Sequence, residues 1–220
     1  MPRLDDRLRA VAGMIRSTTH VDIGSDHAHL PAALLASGRV DRVIAVEIAD
    51  VPAANSRRTL AGMNADVRSG DGFDVVGTGE ADTASVCGMG GRTMTDILIR
   101  GGDRLPPTLV LQPNRDVAMV RRVAIGLGYA IIDEAIVATS SAGRYFEVIQ
   151  FGRDGVGALA QMQLDDFDWY YGPLLIERRD AVVLDRMRWD RDYLDRRRHL
   201  NVAEQKRLAA LITFLDGLDA

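Results

Sequence analysis

Val21-Asp22-Ile23-Gly24-Ser25-Asp26-His27 is the stretch on which the reading of this chain turns. An apolar run, His20–Ile23, ends at a glycine, and a helical segment, Ala28–Ser37, begins directly after it. This is a strand entering a helix through a tight turn. Glycine at 24 lets the backbone bend sharply and come close to a ligand. The helix N-terminus that follows favours a carboxylate. Asp22, at the strand end, can pair with an ammonium group. A dinucleotide fingerprint requires G-x-G-x-x-G, and Gly24 stands alone, so no pyrophosphate cradle is present. Taken by itself, the motif is also compatible with a plain α/β connection.

Outward from this turn the pattern repeats. Leu4, Leu8, Val11, Ala12 and Ile15 fall on one face of an opening helix. After the first βα unit, Arg42–Glu47 reads as a strand and Pro52–Ala61 as a helix closed by Gly62. Ala65–Arg68 is a third strand, and Thr83–Cys87 a fourth, with a helix through Ile99. Thr108–Leu111 is a fifth, with a helix over about 116–127. Tyr129–Ala138 and Tyr145–Phe151 are β-rich runs separated only by the turn Ser140–Gly143. Alternating strands and helices predict an α/β fold with a parallel sheet, and the last two runs predict an antiparallel pair at its edge. Five βα units and such a pair form the Rossmann-like arrangement of class I methyltransferases.

The stretch Gly152–Gly157 is rich in glycine and reads as a linker. The expected organisation is a cofactor-binding domain over 1–156 and a helical, coiled-coil-like domain over 157–220. From about Glu177 the sequence is helical and highly charged. Val183, Met187 and Leu194 form one stripe, Leu208, Leu211, Ile212 and Leu215 another, and Asn201 separates the two helices of a hairpin.

Composition bounds the function. A 47 % hydrophobic content supports a sizeable core, and no apolar run nears the roughly 18 residues of a membrane span. Met1-Pro2-Arg3-Leu4-Asp5-Asp6 shows no secretory signal, and one cysteine, Cys87, forms no internal disulfide, so a cytoplasmic location is expected. Cys87 itself reads as a small buried hydrophobe. A net charge of −4 excludes a uniformly basic surface for nucleic acid, though not a local patch. The cations are arginines apart from Lys206, which suits phosphate recognition or simply reflects codon usage.

Further acids stand at strand ends. Glu47 closes the second strand and can accept from two ribose hydroxyls; the alternative is a solvent-facing strand end. Asp71, in Gly70-Asp71-Gly72, can accept from an adenine amino group or belong to a surface turn. With Asp22 they place three acids on the carboxyl edge of the sheet, where open α/β sheets bind ligands. This set predicts a methyl-donor site for S-adenosylmethionine. Gly88-Met89-Gly90-Gly91 lets ligand approach the backbone, or is a flexible turn. Gln112-Pro113-Asn114 offers two amides that can read a base edge, or a helix cap at Asn114. His27 and His29 lack further ligands at metal spacing, so no metal is expected and a ligand contact is the better reading.

These strings resemble one family. Asp22-Ile23-Gly24-Ser25-Asp26-His27-Ala28-His29-Leu30-Pro31, Gly88-Met89-Gly90-Gly91, Leu111-Gln112-Pro113-Asn114 and Arg144-Tyr145-Phe146-Glu147 are similar to the TrmK family, bacterial tRNA (adenine-22, N1)-methyltransferases. The resemblance extends more loosely to a hairpin beginning near Tyr171-Gly172-Pro173-Leu174-Leu175. It implies cofactor contacts at Asp22, Gly24, Ser25, Glu47, Asp71, Gly88, Met89 and Gly90. It implies a target-base site near Asp26, His27, His29, Gln112, Pro113 and Asn114, although the family usually carries tyrosine where this chain has His29. Asp26 is the first candidate, and Asn114 the second, to face the amino group of the methylated base. Arg92 and Arg115, with Arg57-Arg58, Arg121-Arg122 and Arg196-Arg197-Arg198, are candidate tRNA phosphate contacts, the last run being equally readable as a solvated helix face. A monomer is expected.

Overall fold

The computed structural model describes residues 4–139, 145–153 and 164–218. The chain forms two compact units, Met1–Ala135 with Glu147–Met162, and Ile136–Phe146 with Gln163–Ala220. The predicted turn Ser140–Gly143, Arg144, most of the predicted linker and the 156/157 boundary lie outside the described residues.

The first unit opens with α1 (Asp6–Met14), capped by Asp5, whose side chain accepts from the Leu8 amide at 2.7 Å. There follow along the chain β1 (Ser17–Ile23), α2 (His29–Ala36), β2 (Val40–Glu47), α3 (Asp50–Thr59), β3 (Ala65–Ser69), β4 (Thr83–Met89), α4 (Gly91–Gly101), β5 (Thr108–Pro113), α5 (Val117–Gly126), β6 (Ala130–Ala138) and β7 (Tyr145–Gly152), the end of β6 from Ile136 and the start of β7 through Phe146 belonging to the second unit. The strands lie in the order β3-β2-β1-β4-β5-β7-β6. The β1–β2, β1–β4, β2–β3 and β4–β5 pairs are parallel, and β7 runs antiparallel to β5. The order reverses at β1, so β1 and β4 flank the switch point where such sheets bind ligands. The α/β class, the sheet and its antiparallel pair are as expected, with β1, β2, β4 and β5 each longer by two or three residues.

One layer of core joins Val11 of α1 and Ile15 just after it to Leu30 and Leu34 of α2 and to Val40, Val43, Val110 and Val148 of the sheet. Burial of α1 on this layer brings the start of the chain beside the carboxyl ends of the strands. Arg121 corrects the sequence reading. It is not a phosphate contact: its side chain is fully buried, with Nε donating to Glu134 Oε1 at 2.8 Å and Nη2 donating to Glu147. Two strand carboxylates need a cation once they are buried, and α5 supplies it.

The second unit contains α6 (Asp166–Tyr171), α7 (Pro173–Glu177), α8 (Ala181–Asp195) and α9 (Val202–Asp216). Helix therefore begins earlier than Glu177. Val183, Met187, Leu194, Leu211 and Leu215 are buried with Ile136, Tyr171 and Leu175. Ile212 departs from its expected stripe and is 41 % exposed. Asn201 caps α9 in a reciprocal box with Glu204. On α8, Trp189 and Tyr193 are exposed and stack at 5.3 Å with an interplanar angle of 5°. Among the described residues no helix is long and apolar enough to cross a membrane.

Candidate functional site

A cavity of about 400 Å³ in the first unit opens where β1 and β4 end. Asp22, Gly24, Ser25, Asp26, His27, His29 and Gly88, all candidate site residues from the sequence, line it. Asp5, Arg7, Leu8, Leu30 and Cys87 also line it, and these were not foreseen. Cys87 is thus not wholly interior: it is half-buried at the cavity wall, where burial pushes its thiol up.

Asp22 is 4 % exposed. Its carboxylate accepts from Ser25 Oγ at 2.5 Å and from Ser85 Oγ on β4. Burial raises its pKa, and these two hydroxyls oppose that rise. Gly24 follows with φ of 73°, a left-handed turn that a side chain resists, and a Cβ there would meet Met89 Cε at 3.4 Å. The turn is therefore closed on one side by the Gly88–Gly91 loop.

Glu47, 5 % exposed, ends β2 and accepts from the Asp26 amide. Burial raises its pKa too, and that hydrogen bond opposes the rise. Asp26 and Ala28 both adopt left-handed backbone, φ 53° in each. Aspartate tolerates this, whereas alanine pays about 1–2 kcal/mol. The conformation is held from several sides, by Glu47, by the Ala28 amide donating to Ser25 O at 2.9 Å, and by Ser56 Oγ donating to Asp26 O at 3.3 Å. Strain retained this way is typical of ligand-binding loops. The loop presents Asp26, His27 and His29 outward, with the two imidazoles stacked 5.6 Å apart. Among the described residues no group of three or more His, Cys, Asp or Glu is placed to hold a metal.

The second shared structure is a pair of interlocked loops. Gln112, fully buried, accepts at Oε1 from Arg7 Nη1 at 2.6 Å and from the Gly88 amide at 3.1 Å. Asn114 Nδ2 donates to Gly88 O at 2.7 Å and its amide to Met89 O at 2.8 Å. The Gly91 amide donates to Arg115 O at 3.0 Å, an approach so close that a Cβ on Gly91 would sit 2.8 Å from Asp116. Asn114 does not cap α5; that position is Asp116. Gln112 and Pro113 continue β5 and are buried. Their position fixes the Gly88 wall from behind. Arg7 was missed because a lone arginine in a helix start carries no signal until α1 is packed against β5.

Asp71 lies at the end of β3 and is not a lining residue of the cavity. Its carboxylate accepts from Arg100 Nη1 at 2.6 Å and Nη2 at 3.0 Å, and this guanidinium lowers its pKa. Arg92 is exposed at the start of α4, and the Arg115 side chain is 80 % exposed beside Gly90. Taken together, a buried acid beside the cavity, a glycine turn and a second buried acid one strand away suit a small zwitterion bearing a ribose. These are the donor and acceptor needs of S-adenosylmethionine.

The comparisons with known proteins agree. A family described as methyltransferase domain matches residues 4–149. The tRNA (adenine(22)-N(1))-methyltransferase of Bacillus subtilis (strain 168) is 35 % identical over 196 residues, 83 % of this chain and 79 % of that protein. The crystal structure of the B. subtilis m1A22 tRNA methyltransferase TrmK superposes with a TM-score of 0.76 at 28 % identity, covering 100 % of this chain and 98 % of that one. A Streptococcus pneumoniae protein solved with S-adenosyl-L-methionine shares the fold, with a TM-score of 0.84 at 24 % identity over 97 % of this chain and 100 % of that one. With its cavity at the β1/β4 switch point and its relatives aligned along nearly the whole length, the chain belongs to the TrmK family of S-adenosylmethionine-dependent methyltransferases.

Proposed function

We propose that this enzyme transfers a methyl group from S-adenosylmethionine to N1 of adenine 22 in tRNA. The observation that carries the reading is the doubly hydrogen-bonded, buried Asp22 beside the Gly24 turn, in a chain 35 % identical to a protein of that activity. The cofactor supplies an electrophilic methyl group when bound. Asp22 receives its ammonium, and Gly24, Ser25, Gly88, Met89 and Gly90 form the wall along it. Glu47 keeps one carboxylate oxygen on the Asp26 amide and offers the other to the ribose. Asp71, whose carboxylate is shared with Arg100, accepts from the adenine amino group.

Neutral adenine has a free N1 lone pair once unpaired, so the protein's work is alignment and electrostatics. The ring becomes cationic on methylation. Asp26, exposed at the cavity with His27 3.8 Å away, faces it with a carboxylate, and His27 and His29 offer flat surfaces to a base turned out of the tRNA. Asn114, committed to Gly88 O, contributes by holding the wall, together with Gln112 and Pro113. Arg92 and Arg115 contact phosphates at the rim. The helical unit grips tRNA through the stacked Trp189 and Tyr193 and the exposed Arg196–Arg198 run, since bases stack on such platforms. The enzyme acts as a cytoplasmic monomer without metal, in keeping with its lone cysteine and isolated histidine pair.

Labelled methyl transfer to unmodified tRNA, with the product position mapped, tests this reading. Incorporation at N1 of adenine 22 is expected. Transfer to another nucleotide, or only to small molecules, overturns it.

A further inference from the structure

His20 was read as part of an apolar run, yet it lies at the centre of a buried polar seam. His20 and Asp22 share one face of β1, and their register partners Thr83 and Ser85 share the same face of β4. His20 Nε2 is 2.8 Å from Ser85 Oγ, and Nδ1 is 2.8 Å from Thr83 Oγ1, which is 2.8 Å from Ser17 Oγ. His20 and Ser85 are 0 % exposed, Thr83 5 %. The seam runs unbroken through the hydrophobic sheet from Ser17 to the cavity.

The polarity of the seam follows from hydrogen-bond chemistry. An ionised Asp22 only accepts, so Ser85 spends its proton on Asp22 Oδ1. The Ser85 oxygen must then accept from His20 Nε2–H. A neutral imidazole with its proton on Nε2 accepts at Nδ1, from Thr83. Thr83 and Ser85 then both donate toward the cavity, and one tautomer of His20 is consistent with the path from Thr83 to Asp22. Reversal would need the proton of Ser85 to point at His20 and leave a buried carboxylate with one donor fewer, at the cost of an unmet buried acceptor.

We propose that His20 is a positioning residue that, through Ser85, holds Asp22 ionised and oriented for the ammonium group of S-adenosylmethionine. The inference rests on Asp22 being the ammonium acceptor. Other charged or titratable groups around Asp22 are Glu47 on β2, Cys87 on β4, Asp26, His27 and His29 of the loop, and Asp5 and Arg7 at α1. None of them donates a hydrogen bond to Asp22 among the described contacts, so the orienting donors are Ser25 and Ser85.

The test is calorimetric binding of S-adenosylmethionine and S-adenosylhomocysteine to the full chain, from about pH 5 to about pH 8. Asp22→Asn first checks the underlying assignment: affinity equal to wild type sinks that assignment, and the relay with it. His20→Leu removes the donor to Ser85 while keeping bulk. It is expected to weaken binding about threefold to tenfold and to move the acidic loss of binding to higher pH, because Asp22 protonates more readily. His20→Gln, whose amide nitrogen can stand in for Nε2–H, restores affinity and the pH profile, and the turnover number at saturating cofactor stays near wild type in both. A His20→Leu protein that binds with wild-type affinity and pH profile overturns the proposal, as does a Gln variant no better than Leu. Should His20→Leu fail to fold, nitrogen-15 resonances of the wild-type imidazole decide. A neutral Nε2–H form is expected at neutral pH, and an Nδ1–H form refutes the relay.

Discussion

Replacing Arg121 by methionine gives a sharp test of how the sheet edge is held. The guanidinium is fully buried, and the facing side chains of Glu134 and Glu147 are 0 % and 3 % exposed. Arg121 Nε sits 2.8 Å from Glu134 Oε1, and Nη2 2.7 Å from the same oxygen. Methionine fills similar volume but leaves two carboxylates in the interior without this cation. Breaking a buried pair from one side costs about 3–5 kcal/mol. For a domain of this size each kcal/mol lowers the melting temperature by about 2–4 °C, so a fall of roughly 6–20 °C is expected. Urea unfolding at two pH values separates the causes. The deficit should shrink on moving from about pH 8 to about pH 5, because protonation relieves the stranded carboxylates. Arg121→Lys should fall between, since an ammonium lacks the fork that serves both strands. Affinity for tRNA, measured well below the melting transition, should not change. A loss under about 1 kcal/mol, or one independent of pH, would refute the charge argument.

Other expectations follow from the site and the hairpin. Asp26→Ala should lower the turnover number about tenfold or more with cofactor affinity intact, whereas Asn114→Ala should weaken cofactor binding as well, because it frees Gly88 O; kinetics with calorimetry tells them apart. His20 is pushed from an ordinary 6.5 down to about 3 by burial, so the unfolded chain binds the extra proton first. Its contribution to stability is complete above pH 6.5 and is lost as pH falls toward 3; a His20→Gln protein should lack that slope in denaturation measured across the window. Asn201→Ala should cost about 1 kcal/mol by removing the α9 cap, read as a lower urea midpoint for helical circular dichroism. Trp189→Ala with Tyr193→Ala should weaken tRNA binding roughly fivefold or more without altering cofactor affinity, read by filter binding.

The fold was legible because its information is local. Apolar runs, glycine closures and the Asp22–Gly24 turn each announce a strand or its exit, and five repeats leave one class of sheet. The cavity residues Asp22, Gly24 and Asp26 were legible for the same reason. What escaped depends on partners far along the chain. His20 looks like a strand residue until Thr83 and Ser85 arrive beside it across β4. Arg121 and Arg122 are equivalent in sequence, and only the carboxylates of β6 and β7 distinguish the buried one from the exposed one. Arg7 gains meaning from Gln112, which reads as a base-edge amide until β5 is seen to run through it. Side chains that satisfy one another over long separations leave no periodicity to read.

The second unit combines Ile136–Phe146 with Gln163–Ala220. On the ribosome the first of these segments emerges well before the second. Ile136 therefore waits, without Val183, Met187 or Leu211 to cover it, until the C-terminal helices are made. Synthesis order leaves that strand end an apolar surface for a time, a place for a chaperone to hold or for a neighbouring nascent chain to pair wrongly. A premature stop before α8 would make that transient state permanent, so truncated products of this gene should be cleared or aggregate rather than persist as a smaller working enzyme.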